Sequence, residues 1–161
     1  MDETQQTMMV NDAETSRLLA VDCGLKTGFA LFDLSGRLLW YRSQNFGNRT
    51  RLRKAVGPLL GAIDGLSHLV LEGGGNLADV WIREAQRRGL TICQVQAEGW
   101  RRALLLPRQQ RSGKQAKQVA GEVAREIIAS SGTPRPTSLR HDAAEAILVG
   151  WWFFQDKGVP D

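Results

Sequence analysis

Carboxylates interrupt apolar sequence at three distant places in this 161-residue chain. Asp22 closes the run LLAVD, Glu72 closes HLVLE, and Asp142 and Glu145 stand three residues apart in RHDAAEAILVGWW. Apolar segments exclude ionised carboxylates unless these are paired or bound to metal. Three such places point to one site that holds a divalent cation. Mg²⁺ is a hard cation that prefers carboxylate oxygens and keeps several waters; Mn²⁺ suits the same donors. Two such ions roughly 4 Å apart bind a scissile phosphate, activate a water and stabilise the leaving 3′-oxygen. The carboxylates offset the cations' charge and fix their separation. Without metal they repel one another, and at least one keeps its proton. Taken singly, each acid has a plainer explanation: Asp22 before Gly24 fits a turn, and Asp142 fits the flank of a helix.

His141 precedes Asp142 and lies one turn from Glu145. A histidine there suits metal binding, positioning of a water, contact with phosphate, or a purely structural hydrogen bond. His68, at a strand start, has no assigned role.

Charge supplies the second signal. The net charge is +4, but residues 1–16 hold Asp2, Glu3, Asp12 and Glu14 and no base. The remainder therefore sets 21 Lys and Arg against 13 acids. Residues 100–140 carry nine Lys or Arg against Glu122 and Glu126, the footprint expected for a phosphate polymer. Arg101, Arg102, Arg108 and Arg111 are the candidate phosphate contacts, on charge alone, with no base-reading pattern. A solvated basic face has the same composition.

These groups need a scaffold, and 161 residues suffice for one domain with a normal core. No apolar run approaches the roughly 20 residues of a membrane span. The N-terminus shows neither a secretory h-region nor a basic transit peptide. Cys23 and Cys93 lie in apolar stretches without metal spacing and read as buried thiols in a reducing, cytoplasmic compartment. A disordered acidic tail is expected over 1–16, a domain over 17–156, and a short tail over 157–161.

The patterning gives alternating elements. SRLLAVDC, TGFALFDL and GRLLWYRS read as strands, the last two joined by a hairpin at Ser35-Gly36. Leu52, Val56, Leu59, Leu60 and Ile63 have helical spacing, which predicts a helix from Asn48 to about Gly65. SHLVLE is a strand. Asn76 is placed to cap a helix that Gly89 ends. LTICQVQ is a strand and EGWRRALL a short helix. PRQQRSGKQ reads as an exposed basic loop. KQAKQVAGEVAREIIASS and LRHDAAEAILVGWWFFQ are helices separated by the linker TPRPTS. Three strands, a helix, then alternating strand and helix is the order of an α/β, ribonuclease-H-like fold: a five-stranded mixed sheet with helices on both faces. In such open sheets, chemistry gathers beyond the strand ends. Asp22 and Glu72 are then neighbours, and Asp142 and Glu145 share one face of the last helix.

With those elements in place, the chain resembles the RuvC-like Holliday junction resolvases. VDCGLKTGFALFD is similar to their first strands, LVLEGG to their second acidic strand, GWRRALL with GKQAKQVAGEVAREI to their Trp-Lys segment and lysine-bearing helix, and RHDAAEAILVGWW to their final helix. The resemblance spans roughly residues 17–154, in order. It implies a homodimeric, Mg²⁺-dependent endonuclease that makes paired nicks in four-way DNA junctions, with no small-molecule cofactor and no membrane partner. Carried over by position, Asp22, Glu72, Asp142 and Glu145 are the metal ligands. Lys117 matches the helix lysine that contacts the scissile phosphate, with Lys114 as the nearby alternative. A fixed ammonium there stabilises the charge that a pentacovalent phosphate gains.

The chain also departs from the family pattern. Cys23 stands in place of a proline, Glu145 in place of the commoner aspartate, and Gly73, Gly74 and Gly75 where many relatives place an aromatic residue. The glycines permit close approach of a DNA backbone or a plain strand-to-helix turn; the turn is the simpler expectation. Trp81 and Trp100 suit stacking on bases, though large aromatics more often fill the core, and Trp151, Trp152, Phe153 and Phe154 read as core or dimer interface.

Other readings share parts of this pattern. An RNA-processing nuclease of the RuvX type has the same fold and a similar last helix. A nuclease-inactive nucleic-acid-binding protein of this fold has no need to keep all four acids. An actin-like ATPase requires two such domains and a second glycine-rich phosphate motif, neither of which this length and sequence provide.

Overall fold

In the sheet, five strands follow the order β3-β2-β1-β4-β5: β1 Arg17–Asp22, β2 Lys26–Asp33, β3 Leu38–Asn45, β4 Leu66–Glu72 and β5 Thr91–Val95. The computed structural model describes residues 15–104 and 112–157. β1, β2 and β3 form an antiparallel meander, whereas β4 and β5 run parallel to β1. Local chemistry accounts for the difference. The Asp33 carboxylate accepts the Ser35 and Arg37 amides at 2.9 and 3.1 Å, and Gly36 takes φ +92°, so β2 turns tightly into β3. Parallel neighbours need a crossover instead. α1 (Arg49–Gly61) links β3 to β4, and α2 (Gly75–Arg87) links β4 to β5. α3 (Ala97–Leu104), α4 (Gly113–Ser130) and α5 (His141–Trp152) follow, and a π-helical turn, Phe153–Lys157, ends the described chain.

The sheet is covered on both sides. Leu18, Ala20, Ala30, Phe32 and Val70 pack against α4 and α5, while Leu19, Val21, Phe29, Leu31, Leu69 and Leu71 pack against α1 and α2. Central β1 is therefore apolar at consecutive positions rather than alternately, as a strand covered on both faces must be. Strand order, orientation and two-sided covering are those of the ribonuclease-H-like fold expected from the sequence. Trp81 and Trp100 are fully buried, as expected of core residues, and Trp152 and Phe153 join the α4–α5 side.

Four local expectations need correction. α1 stops at Gly61, short of Gly65; Gly65 instead takes φ +70° and offers its carbonyl to the Arg17 amide at 2.8 Å, which feeds the chain into β4. Asn76 does not cap α2. Gly74 is the cap residue and makes no side-chain bond, because Gly73 and Gly75 at φ +111° and +73° turn the chain before Asn76 is reached. The last helix is α-helical only to Trp152 and then widens into the π turn. Cys23 and Cys93 are half-buried rather than buried. Asn48 does cap α1, accepting from the Arg51 amide at 2.9 Å, and Ser112 caps α4. The acidic segment 1–14, Arg108, Arg111 and residues 158–161 lie outside the described residues. Among the described residues, no helix is long and apolar enough to cross a membrane.

Candidate metal centre

Parallel pairing sets the first two acids side by side. Asp22 and Glu72 are register partners at the ends of β1 and β4, so their Cα atoms sit about 4.8 Å apart in the hydrogen-bonding direction. The Cys23 amide continues the ladder to the Glu72 carbonyl at 3.0 Å. Beyond it the chain must reverse into β2, and Thr27 holds that turn: its buried hydroxyl donates to the Gly24 carbonyl at 2.7 Å.

Gly28 brings the last helix to the pair. It is the β2 partner of Asp22. A Cβ there would overlap the Asp142 carbonyl oxygen and lie 2.9 Å from the Ala143 nitrogen. At the other end of α5, a Cβ on Gly150 would overlap the Phe32 ring. Two missing side chains thus let the helix backbone settle directly on β2. Glu145 consequently projects into the space beside Asp22 and Glu72. Ligand oxygens of Asp22, Glu72 and Glu145 all lie within 4.8 Å of one another. Among the described residues, this is the group of three or more candidate ligands so gathered. Asp142 is outside that set but half-buried nearby, and its charge acts on Asp22.

The electrostatics follow from burial. Asp22 and Glu145 are 9% and 5% exposed. Burial, then a hydrogen bond shared with Glu72, then the charges of Glu145, Glu72 and Asp142, push the Asp22 carboxyl up to about 10. In the metal-free protein it is therefore a neutral acid at neutral pH. Burial and the charges of Asp22 and Glu72 also push the Cys23 thiol up, so it stays uncharged. Glu145 has two partners. The Arg101 guanidinium donates to its Oε1 at 2.7 Å, and His141 Nε2 lies 3.1 Å from the same oxygen. Three close carboxylates with a proton retained among them form a hard-oxygen donor set that fits a divalent cation. This chain can therefore hold a metal through Asp22, Glu72 and Glu145.

The remaining expected site residues that are described take four placements. His141 lies against Glu145. Lys117 is exposed on α4 and lines a groove of about 460 Å³ with Arg125, His141 and Ala144. Arg102 and Lys114 are exposed and outside the carboxylate cluster. Arg101, expected only as a phosphate contact, is the ion-pair partner of Glu145. No sequence signal marks a pair 44 residues apart. Thr27 and Gly28 entered as part of a resemblance; their structural work, tying the β1–β2 turn and admitting α5, appears only in three dimensions.

No family model matches the chain, and no curated protein matches it. Among solved structures, the chain is similar to the catalytic core domain of BIV integrase, with 10% identity over 92% of this chain and 88% of that one and a TM-score of 0.35.

Proposed function

We propose that this chain is a divalent-metal-dependent endodeoxyribonuclease that resolves four-way DNA junctions by paired nicks, acting as a homodimer. The observation that carries the nuclease part is the convergence of Asp22, Glu72 and Glu145 within 4.8 Å at one edge of a ribonuclease-H-like sheet. The junction as substrate is supported by the resemblance to RuvC-like resolvases. A four-way junction has near two-fold symmetry, and a two-fold protein is its natural partner.

Asp22, Glu72 and Glu145 are the proposed ligands, with Asp142 completing the set, and the cations are two Mg²⁺ ions for which Mn²⁺ substitutes. Bound metal would polarise the phosphate and supply a water nucleophile at neutral pH. The chain's own groups do the rest. Asp22 gives up its proton when the site fills. Arg101 and His141 fix the Glu145 carboxylate on one oxygen. Lys117 stands in the groove that His141 also lines and presents an ammonium to a phosphate entering there, where fixed positive charge favours the charge-rich transition state. Arg102, Lys114, Arg108 and Arg111 are proposed contacts to flanking phosphates.

The test is incubation of labelled four-way junction, duplex, flap and structured RNA with the protein and Mg²⁺. Symmetric paired nicks in the junction alone are expected. Cleavage confined to structured RNA would replace the substrate. No cleavage of any of them would sink the nuclease reading.

A further inference from the structure

A second cationic surface lies on the side of the sheet away from α4 and α5. α1 and α2 pack there side by side. Both begin at the sheet edge that carries the carboxylates. α1 follows the end of β3, where Asn45 pairs with Lys26 beside the β1–β2 turn, and α2 begins three residues after Glu72. Between them runs a groove of about 210 Å³, with Arg49 and Arg53 on the α1 wall and Arg83 and Arg87 on the α2 wall. Its acids are Asp79 and Glu84. Glu84 is already committed, bonded to Arg87 at 2.6 Å and to Arg88 at 2.9 Å. Among the described residues, Arg49, Arg53 and Arg83 form no ion pair, so three free cations face one free carboxylate.

Folding does not explain the α1 side of this arrangement. α1 opens with Arg49, Arg51 and Arg53 and has no acid in its first turn, although the N-terminal end of a helix favours negative charge and disfavours positive charge. Arg49 and Arg53 are spaced i, i+4 with neither ion-paired among the described residues, and like charges at that spacing are destabilising. That pair lines the groove, which the unpaired Arg83 also faces. A bound polyanion reverses the sign of each term.

We infer that the α1–α2 groove binds the phosphodiester backbone of a nucleic-acid duplex, as a second contact surface for an arm whose scissile strand lies at the carboxylate cluster. The inference rests on the nuclease reading for the second half of that statement. Guanidinium forks match phosphate oxygens two at a time. Arg49, the first residue of α1, sets one end of the groove on the side of the sheet where β1 and β4 end.

The experiment uses the full chain in chelator, which removes cleavage from the readout. Fluorescence anisotropy measures binding to a labelled four-way DNA junction, to a DNA duplex and to an RNA duplex of equal length, across a salt series. The variants are Arg53→Glu with Arg83→Glu, and Arg53→Lys with Arg83→Lys, each checked for an unchanged thermal transition. The charge reversal should weaken binding to at least one of the duplex substrates by about tenfold or more, and should lower the slope of log affinity against log salt by about 2, one unit per lost phosphate contact. The lysine pair should stay within about threefold of the parent. Unchanged affinity and slope in the charge-reversed protein overturn the inference. So does a loss of affinity that tracks conversion of a dimer to monomer in sedimentation, which would make the groove an interface between copies. If the parent cleaves junctions and the reversed variant binds them equally well, only this inference fails; if the parent binds no nucleic acid, the nuclease reading fails with it.

Discussion

Gly28 and Asp142 meet backbone to backbone: a Cβ on Gly28 would overlap the Asp142 carbonyl oxygen. Because Gly28 is also the strand partner of Asp22, one contact fixes the distance between the sheet's acid and those of α5. Gly28→Ala should therefore act on stability and chemistry together. The obstacle is main chain, which cannot swing aside as a side chain would, so the cost belongs at the upper end of the roughly 1–3 kcal/mol typical of overpacking. Thermal denaturation should show that loss, and the thermal shift given by saturating Mn²⁺ should shrink as Glu145 moves away. A Gly28→Ala protein with normal stability and normal metal response would mean that α5 is not seated by this contact.

Asp22→Asn separates the metal's needs from the fold's. In the metal-free protein the Asp22 carboxyl holds its proton far above the ordinary carboxylate range. A neutral amide of the same shape should thus cost the apo fold under about 1 kcal/mol near pH 7. The same change removes a ligand. Cleavage should fall by about a thousandfold or more while binding to DNA persists. Apo melting temperature, Mn²⁺-induced shift and nicking rate, measured on one preparation, check all three. Loss of the apo fold together with activity would assign Asp22 a structural role instead.

The acid's raised value also predicts how metal and protons compete. Its folded carboxyl binds a proton more tightly than the unfolded one, so its stabilising contribution is full below about pH 4. That contribution is withdrawn as pH climbs toward about 10. Metal-free protein should lose stability across neutral pH from this group, while Mn²⁺ affinity rises, because each binding event must expel the proton. Calorimetric titration at pH 7 in buffers of different ionisation enthalpy should report release of about one proton per site filled. Zero release would show Asp22 already ionised, and the pH slope would vanish with it. Asp22→Asn should abolish both effects.

Much of this scaffold is legible in the chain because it rests on short-range rules. The unbroken apolar run over Leu18–Val21 announces a strand covered on both faces, and Asp33 with Gly36 announces the hairpin. Asp22 and Glu72 can be paired in advance, since parallel strands joined by a crossover end at the same edge. What stays hidden depends on contacts between distant segments. Asn76 looks like a helix cap, but two left-handed glycines just before it start the helix earlier, and nothing local ranks those alternatives. Arg101 looks like any basic residue on an amphipathic helix until α3 and α5 are brought together. The arginines of α1 and α2 are scattered over 39 positions of sequence and form one surface only when the two crossovers lie side by side.

Arg101 yields the most discriminating test of the centre. Its guanidinium reaches the Glu145 carboxylate at 2.7 Å, with side chains 28% and 7% exposed. Removing one partner of a fully buried pair costs about 3–5 kcal/mol. Solvent at Arg101 lowers that here, so Arg101→Gln should cost about 1–2 kcal/mol in the metal-free protein. A bound divalent cation would supply the positive charge that Glu145 then lacks. The destabilisation should therefore be smaller at saturating Mn²⁺, and the metal-induced thermal shift larger in the variant than in the parent. A merely structural ion pair, remote from the metal, would give the same loss with and without Mn²⁺. Equal shifts in parent and variant would thus remove Glu145 from the ligand set, whereas the expected inequality ties the α3 arginine, the α5 glutamate and the cation into one electrostatic unit.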